Sequence, residues 1–427
     1  MILAVITDKI VYRKHLSVMI GVINMIKRDL YMNRIRPFIN RELIKVITGI
    51  RRSGKSIMLE LIKGELLEQG VSANNIFSYN FESMANAHLC TPQALYSELN
   101  DRIKNIDSKV YLFFDEIQEV TDWEKVINSC RVDFDCDIYI TGSNAKLLSG
   151  ELATYLAGRY VEFAIYPFSF KEFMQMYRSK YPQITDGEAF KKYIQYGGMP
   201  YLGELDYQDT PSIQYLQDLY NSVELKDIVK RNKIRDIDLL ERIMVYVMAN
   251  IGNTFSASSI SKYFKSEGRN VSAETILNYI HSCMDAFLFY SVKRQDLVGK
   301  KLLSVHEKYY LADHGIRQAV LGSNTQDIAL VLENIVFLEL IRRGYEVTVG
   351  KINNKEVDFI AKTPQGLIYV QVCYLLASPE TIEREFGVYE NIKDNYPKYV
   401  LSMDEFDMSR DGIKHQNIRD FLLQDLS

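Results

Sequence analysis

The run Gly49-Ile50-Arg51-Arg52-Ser53-Gly54-Lys55-Ser56 holds the chain's clearest chemistry. Two glycines with four residues between them let a loop curl, so that successive backbone N–H groups point inward at phosphate oxygens. A helix starting at Lys55 would add its positive end. Lys55 would neutralise the β- and γ-phosphates of a nucleotide, and the Ser56 hydroxyl would ligate Mg2+. Gly49, Arg52, Ser53, Gly54, Lys55 and Ser56 are therefore the expected binding residues, and ATP with Mg2+ the expected ligand.

A second group follows at Tyr111-Leu112-Phe113-Phe114-Asp115-Glu116. An apolar strand ending in a carboxylate can deliver Asp115 to a magnesium shell. Glu116, one residue on, is placed to polarise a water for attack on the γ-phosphate. Taken alone, such a strand end reads as a solvated turn. Its position some 60 residues after the loop, with one strand between, makes it specific. Past the next strand, Ser143 and Asn144 are candidates to orient that water or to sense the γ-phosphate, against a plain strand-to-helix turn. Arg159, in Gly158-Arg159-Tyr160, would stabilise transition-state charge. Supplied from a neighbouring subunit it would require an oligomer; an ordinary surface ion pair is the competing reading.

These residues need a scaffold, and the hydrophobic pattern supplies one. Residues 43–48 read as a buried strand, 55–69 as a helix with Ile57, Met58, Leu61, Ile62 and Leu66 inward, and 75–81 as a strand. A helix is expected over 92–106, a strand over 110–114, a helix over 122–130 and a strand over 137–141. Strand and helix alternate, which predicts a parallel sheet covered on both faces. From 168 to 300 the chain is mostly helical, and from about 333 a second α/β pattern begins. Its strands are expected near 345–349, 356–361 and 367–373.

The 427 residues suffice for two or three domains. With 51 Lys+Arg against 55 Asp+Glu, the net charge of −4 excludes a polycation that coats nucleic acid. The five cysteines form no C-x-x-C pair, which fits small buried hydrophobes in a reducing cytosol and predicts a cytoplasmic protein. His15 to Ile26 is apolar but shorter than the roughly 20 residues that span a bilayer, so no membrane partner is expected. Residues 1–24 read as an extra arm ahead of a more familiar start at Met25.

GIRRSGKS, FFDEIQ, ITGSNAKLL and AGRY resemble the prokaryotic AAA-type ATP-binding proteins that carry a C-terminal domain of unknown function. The resemblance continues through YGGMP (196–200), KYYLADHGIR (308–317), LENIVFLELIRRGYEV (332–347), EVDFIA (356–361) and YVQVCY (369–374). It implies a P-loop NTPase domain over 25–168, with roles for Lys55, Ser56, Asp115, Glu116, Asn144 and Arg159. A helical region over 169–238, a winged-helix-like domain over 239–310 and a C-terminal α/β domain over 311–427 are expected after it.

In the winged-helix-like part, the helix expected over 272–289 carries no Lys or Arg, which argues against reading bases. Ile276, Leu277, Ile280, Met284 and Phe287 are expected on its buried face. Lys293, Arg294, Lys300 and Lys301 would lie along a wing, either touching nucleic-acid phosphates without sequence preference or forming a solvated face. The C-terminal part resembles the restriction-endonuclease-like fold, with Glu333 and Asp358 at carboxylate positions. The next strand offers Gln371 and Cys373 where a nuclease needs a carboxylate and a lysine, so cleavage is not expected.

The sequence thus predicts an Mg-dependent ATPase that couples turnover to domain rearrangement on a macromolecular partner, protein or nucleic acid, as a single chain or a homo-oligomer. A slow ATP-gated switch and an ATP-regulated nucleic-acid-processing protein are the alternatives.

Overall fold

A computed structural model describes residues 26–148, 156, 158–297, 301–322, 325–352 and 355–424. The arm at 1–24 and Lys300 fall outside the described residues, as does the side chain of Lys301. The chain divides into two compact units, Met1–Gly49 with Ser53–Ile165 and Ile50–Arg52 with Tyr166–Ser427.

In the first unit, strands β1 (Ile44–Thr48), β2 (Ile76–Asn80), β3 (Val110–Asp115), β4 (Cys136–Gly142) and β5 (Tyr160–Ala164) form one parallel sheet in the order β2-β3-β4-β1-β5. Helices α1 (Asp29–Ile35), α2 (Lys55–Glu68), α3 (Pro92–Ile103) and α4 (Trp123–Asp133) accompany it. Every residue of β1 and β3 is buried, which is why both read as unbroken apolar runs. Lys45 is the exception in β1. Its ammonium is satisfied by Asp137 and by the Arg41 carbonyl at 2.8 Å. Burial lowers its pKa, and Asp137 opposes that shift. On α2, Ile57 departs from expectation: it is 43% exposed, and the inward face is Met58, Leu59, Leu61, Ile62 and Leu66.

The register positions the chemistry. Asn80 pairs with Asp115 across β2 and β3, and Thr48 pairs with Gly142 across β1 and β4. The carboxyl ends of four parallel strands therefore come level, and the loop from β1 to α2 starts there.

The second unit opens with α5 (Phe170–Lys180), α6 (Asp186–Tyr196) and α7 (Asp209–Ser222). Capping boxes start α5 (Ser169 with Glu172) and α6 (Thr185 with Glu188). A π-helical stretch, Val223–Lys230, prolongs α7. Within this unit Arg51 lies 3.0 Å from the buried Asp227, which also takes Arg231 at 3.4 Å. Helices α8 (Ile237–Ala249), α9 (Ala257–Ser266) and α10 (Ala273–Asp285) follow.

Next come β6 (Phe289–Asp296), β7 (Lys301–Leu311), α11 (His314–Leu321), α12 (Ile328–Arg342), β8 (Glu346–Ile352), β9 (Lys355–Thr363) and β10 (Gly366–Val372). The chain closes with α13 (Pro379–Phe386), β11 (Lys398–Ser402), β12 (Lys414–Asn417) and α14 (Ile418–Leu423). Seven strands join in the order β12-β11-β10-β9-β8-β6-β7. The hairpin expected as a wing is thus the margin of this sheet, with β6 paired in parallel to β8. Arg294 is held by Glu356 at 2.7 Å instead of lying free along a wing, while Lys293 is exposed. On α10 the buried face is Ile276, Ile280 and Cys283. Leu277 is 38% exposed, Met284 and Phe287 are half-buried, and the helix stops before Phe287, whose φ is 55°.

Two motifs of this unit prove to be one joint. Gly198 N donates to Asp313 Oδ2 at 2.7 Å, and Asp313 also caps α11. A methyl on Gly315 would stand 1.9 Å from the Tyr196 carbonyl, and one on Gly198 would stand 2.2 Å from that of Phe168. His314 Nε2 lies 2.6 Å from the Tyr193 carbonyl. Burial pushes the Asp313 carboxyl up to about 7 and the His314 imidazole down to about 4. Of the cysteines, Cys130, Cys283 and Cys373 are buried as expected, whereas Cys90 and Cys136 are half-buried.

Candidate nucleotide site

The loop after β1 is set by its backbone. Gly49 has φ 138° and Gly54 φ 101°; a methyl on Gly49 would stand 2.2 Å from the Ile165 carbonyl. Arg52, with φ 66°, also takes the left-handed form. Lys55 begins α2, a helix of 14 residues, and its buried ammonium donates to the Gly49 carbonyl at 3.1 Å. Ser53 is buried, and its hydroxyl oxygen has no hydrogen-bond partner. An orphaned hydroxyl, a helix start and a cation at one loop suit an anionic oxygen ligand.

The carboxylates meet the loop from β3. Asp115 accepts from Thr141 Oγ1 at 2.6 Å, from Asn80 Nδ2 at 2.9 Å, and from the Ser56 hydroxyl. Burial raises the Asp115 pKa, while the bonds from Thr141 and Ser56 pull it down. A serine hydroxyl and a carboxylate in contact are a hard-oxygen donor pair, which fits Mg2+. Glu116 turns away from the strand at φ 52°, and its amide donates to Thr141 Oγ1 at 2.9 Å. Its Oε1 lies 3.6 Å from the Lys55 ammonium. Its Oε2 accepts from Gln118 Nε2 at 2.5 Å and from Ser143 Oγ at 3.1 Å.

The structure therefore brings Lys55, Ser56, Asp115 and Glu116 together. Of the two residues weighed beyond β4, Ser143 touches Glu116, and Asn144 is buried beside it in sequence. Arg159 is placed elsewhere. Its carbonyl accepts from Ile44 N at 2.9 Å, at the start of β1, so the whole of β1 separates it from the loop. Five residues at about 3.3 Å each put it roughly 16 Å away. Its guanidinium is exposed and 3.3 Å from Asn128. That polarity places it at the end of β5 away from the phosphate loop.

Sequence reasoning missed Thr141, Asn80, Gln118 and Arg28. Arg28 is buried, stacks 4.6 Å over Tyr31 and donates to the Ser53 carbonyl at 2.8 Å, so it props the loop from behind. FFDEIQ and ITGS contained two of them, but only strand register reveals what they touch.

Residues 41–174 match the family model described as an AAA domain, and residues 187–327 match a domain of unknown function, DUF8612. An uncharacterized protein of Haemophilus influenzae is 38% identical over 401 residues, which cover 94% of this chain and 99% of the relative. The chain belongs to one family with that protein. A further uncharacterized relative, from Methanocaldococcus jannaschii, is 32% identical over 82% of this chain and 79% of its own length. Among solved structures, the Aeropyrum pernix ORC1 protein in complex with DNA aligns with a TM-score of 0.31 at 11% identity, over 69% of this chain and 91% of that one. The AAA-domain match coincides with the five-stranded unit and its phosphate loop, so this is a P-loop AAA-type protein.

The second unit holds another polar cluster. Lys308 lies 2.7 Å from Glu356 and 3.3 Å from Glu333, which also accepts from Tyr310 OH at 2.6 Å. Burial would lower the Lys308 pKa, but Glu333, Asp358 and Glu356 together hold it well above its ordinary value. Burial and the Glu333 charge push Asp358 far above the carboxylate range. Gln371 Nε2 donates to Glu385 at 2.9 Å, and its carbonyl oxygen accepts from the Asp358 amide at 3.2 Å. Among the described residues no group of His, Cys, Asp or Glu is arranged to hold a metal ion, and no helix is long and apolar enough to cross a membrane.

Proposed function

We propose that the chain is an Mg2+-dependent ATPase. The loop amides and Lys55 bind the phosphates, and Ser56 and Asp115 hold the magnesium, which when bound neutralises charge on the β- and γ-phosphates. Glu116 accepts a proton from a water whose oxygen attacks the γ-phosphorus, and ADP leaves. The observation that carries this is the pairing of Ser56 with Asp115 beside Glu116 and Lys55. Turnover in this reading drives rearrangement of the helical and C-terminal parts on a macromolecular partner. Arg159 contributes only from a second copy of the chain, which makes the active form a homo-oligomer. For the seven-stranded sheet we propose a binding or packing role on an endonuclease-like scaffold, because Lys308 and Arg294 already pair with Glu333 and Glu356 and burial favours the neutral form of Asp358.

The test is phosphate release by the purified protein, alone and with DNA, RNA or peptide, beside Glu116→Gln. Turnover is expected to fall by about 10²- to 10⁴-fold, as for loss of a general base, with ATP affinity retained. Phosphate release at the wild-type rate in Glu116→Gln rejects the assignment.

A further inference from the structure

The two oxygens of Glu116 are treated differently, and Gln118 is the reason. Glu116 leaves β3 in a left-handed conformation, and a tight turn follows in which the Glu119 amide donates to the Glu116 carbonyl at 3.1 Å and the Val120 amide to that of Ile117 at 3.0 Å. Ile117 is fully buried and anchors this turn. The turn folds Gln118 back over Glu116, where its Nε2 reaches Oε2 at 2.5 Å. The amide can face only this way, because its oxygen turned toward a carboxylate would repel it.

Gln118 Oε1 is thereby driven into a buried position with no hydrogen-bond partner among the described residues. It lies against Gly142, where an added methyl would stand 2.9 Å from Oε1 and 2.7 Å from a Leu147 methyl. A buried amide oxygen left unsatisfied costs free energy, and its retention needs a compensating role. Ser143 adds a second donor to the same oxygen, Oε2, at 3.1 Å. Oε1 lies 3.6 Å from the Lys55 ammonium.

We propose that Gln118 is a positioning residue for hydrolysis. Together with Ser143 it holds Oε2 and so fixes the orientation in which the carboxylate takes the proton from water. This rests on the reading of Glu116 as the base. In this proposal Gln118 acts through Glu116 alone, by the bond from its Nε2 to Oε2.

That last statement makes the proposal testable by a double-mutant cycle. Gln118→Met keeps the length and burial of the side chain and removes the donor. Single-turnover ATP hydrolysis is expected to slow at least tenfold, while the Kd for ATP stays within about twofold. In a Glu116→Gln background, Gln118→Met should slow hydrolysis no further, since there is no carboxylate left to orient. Gln118→Glu, which places a second negative charge beside Oε2, should reproduce the loss with ATP binding intact. It carries the comparison alone if the Met variant fails to bind ATP.

The proposal is overturned if Glu116→Gln abolishes turnover while both Gln118 variants hydrolyse ATP at the wild-type rate. It is equally overturned if Gln118→Met slows both backgrounds by the same factor, the signature of a merely structural residue. Wild-type turnover in Glu116→Gln instead removes the parent reading.

Discussion

Two places in this molecule gather carboxylates around a buried lysine, and they resolve the charge in opposite ways. At the phosphate loop, Lys55 stands 3.6 Å from Glu116, donates to a backbone carbonyl, and shares the loop with the orphaned Ser53 hydroxyl. Around Lys308, three carboxylates hold the ammonium so firmly that its pKa rises despite burial. The first cluster keeps polar groups whose satisfaction requires an incoming anion. In the second the ions pair with one another, Lys308 and Arg294 with Glu333 and Glu356. Clusters of like composition therefore differ in meaning according to whether their own members close the account of charge and hydrogen bonds.

The contrast is sharpest under lysine substitution. Lys55→Ala should abolish measurable ATP binding and hydrolysis, because the loop loses its one compact cation. Its thermal midpoint should move by only about 3 °C, within the range of a 1 kcal/mol change. A variant that still bound ATP at wild-type affinity would dissolve the distinction. Lys308→Met should do the reverse. Removing one partner of a buried ionic cluster costs about 3–5 kcal/mol, so the melting temperature should fall by roughly 10 °C. ATP binding at temperatures where the variant is folded should be unaffected.

The smallest effect concerns Asp313 and His314, which both belong to the buried joint of the second unit. Burial holds His314 down to about 4, so its contribution to stability is present above its unfolded value near 6.5 and is lost as the pH falls toward 4. Asp313, raised to about 7, works the other way: its contribution is present below its unfolded value near 3.8 and is lost as the pH rises through 7. Between about pH 4 and 6.5 the two offset each other. His314→Asn should therefore unmask Asp313, and the melting temperature of the variant should drop relative to wild type as the pH is raised across that window. Parallel curves for the two proteins would show that the pair does not titrate as described.

What the sequence revealed and concealed divides along physical lines. The phosphate loop was legible because its glycines answer to local backbone geometry, and Asp115 and Glu116 because a buried strand ends in them. Thr141 and Asn80 were not, since their roles come from register between strands distant in sequence. The position of Arg159 was not legible either, because the pattern around it does not say which end of a strand it occupies. The β6–β7 hairpin was assigned to a wing because nothing local announces that β6 pairs with β8. Ile57 and Leu277 were read inward from periodicity alone, which fixes the spacing of a helical stripe and not its breadth.

The contact between residue 49 and the end of β5 carries one last implication. With the Ile165 carbonyl 2.2 Å from where a methyl would sit, a Gly49→Ala change would first prise the outermost strand from its neighbour. Any loss of nucleotide affinity in such a variant would combine that displaced sheet margin with a loop forced from its φ of 138°.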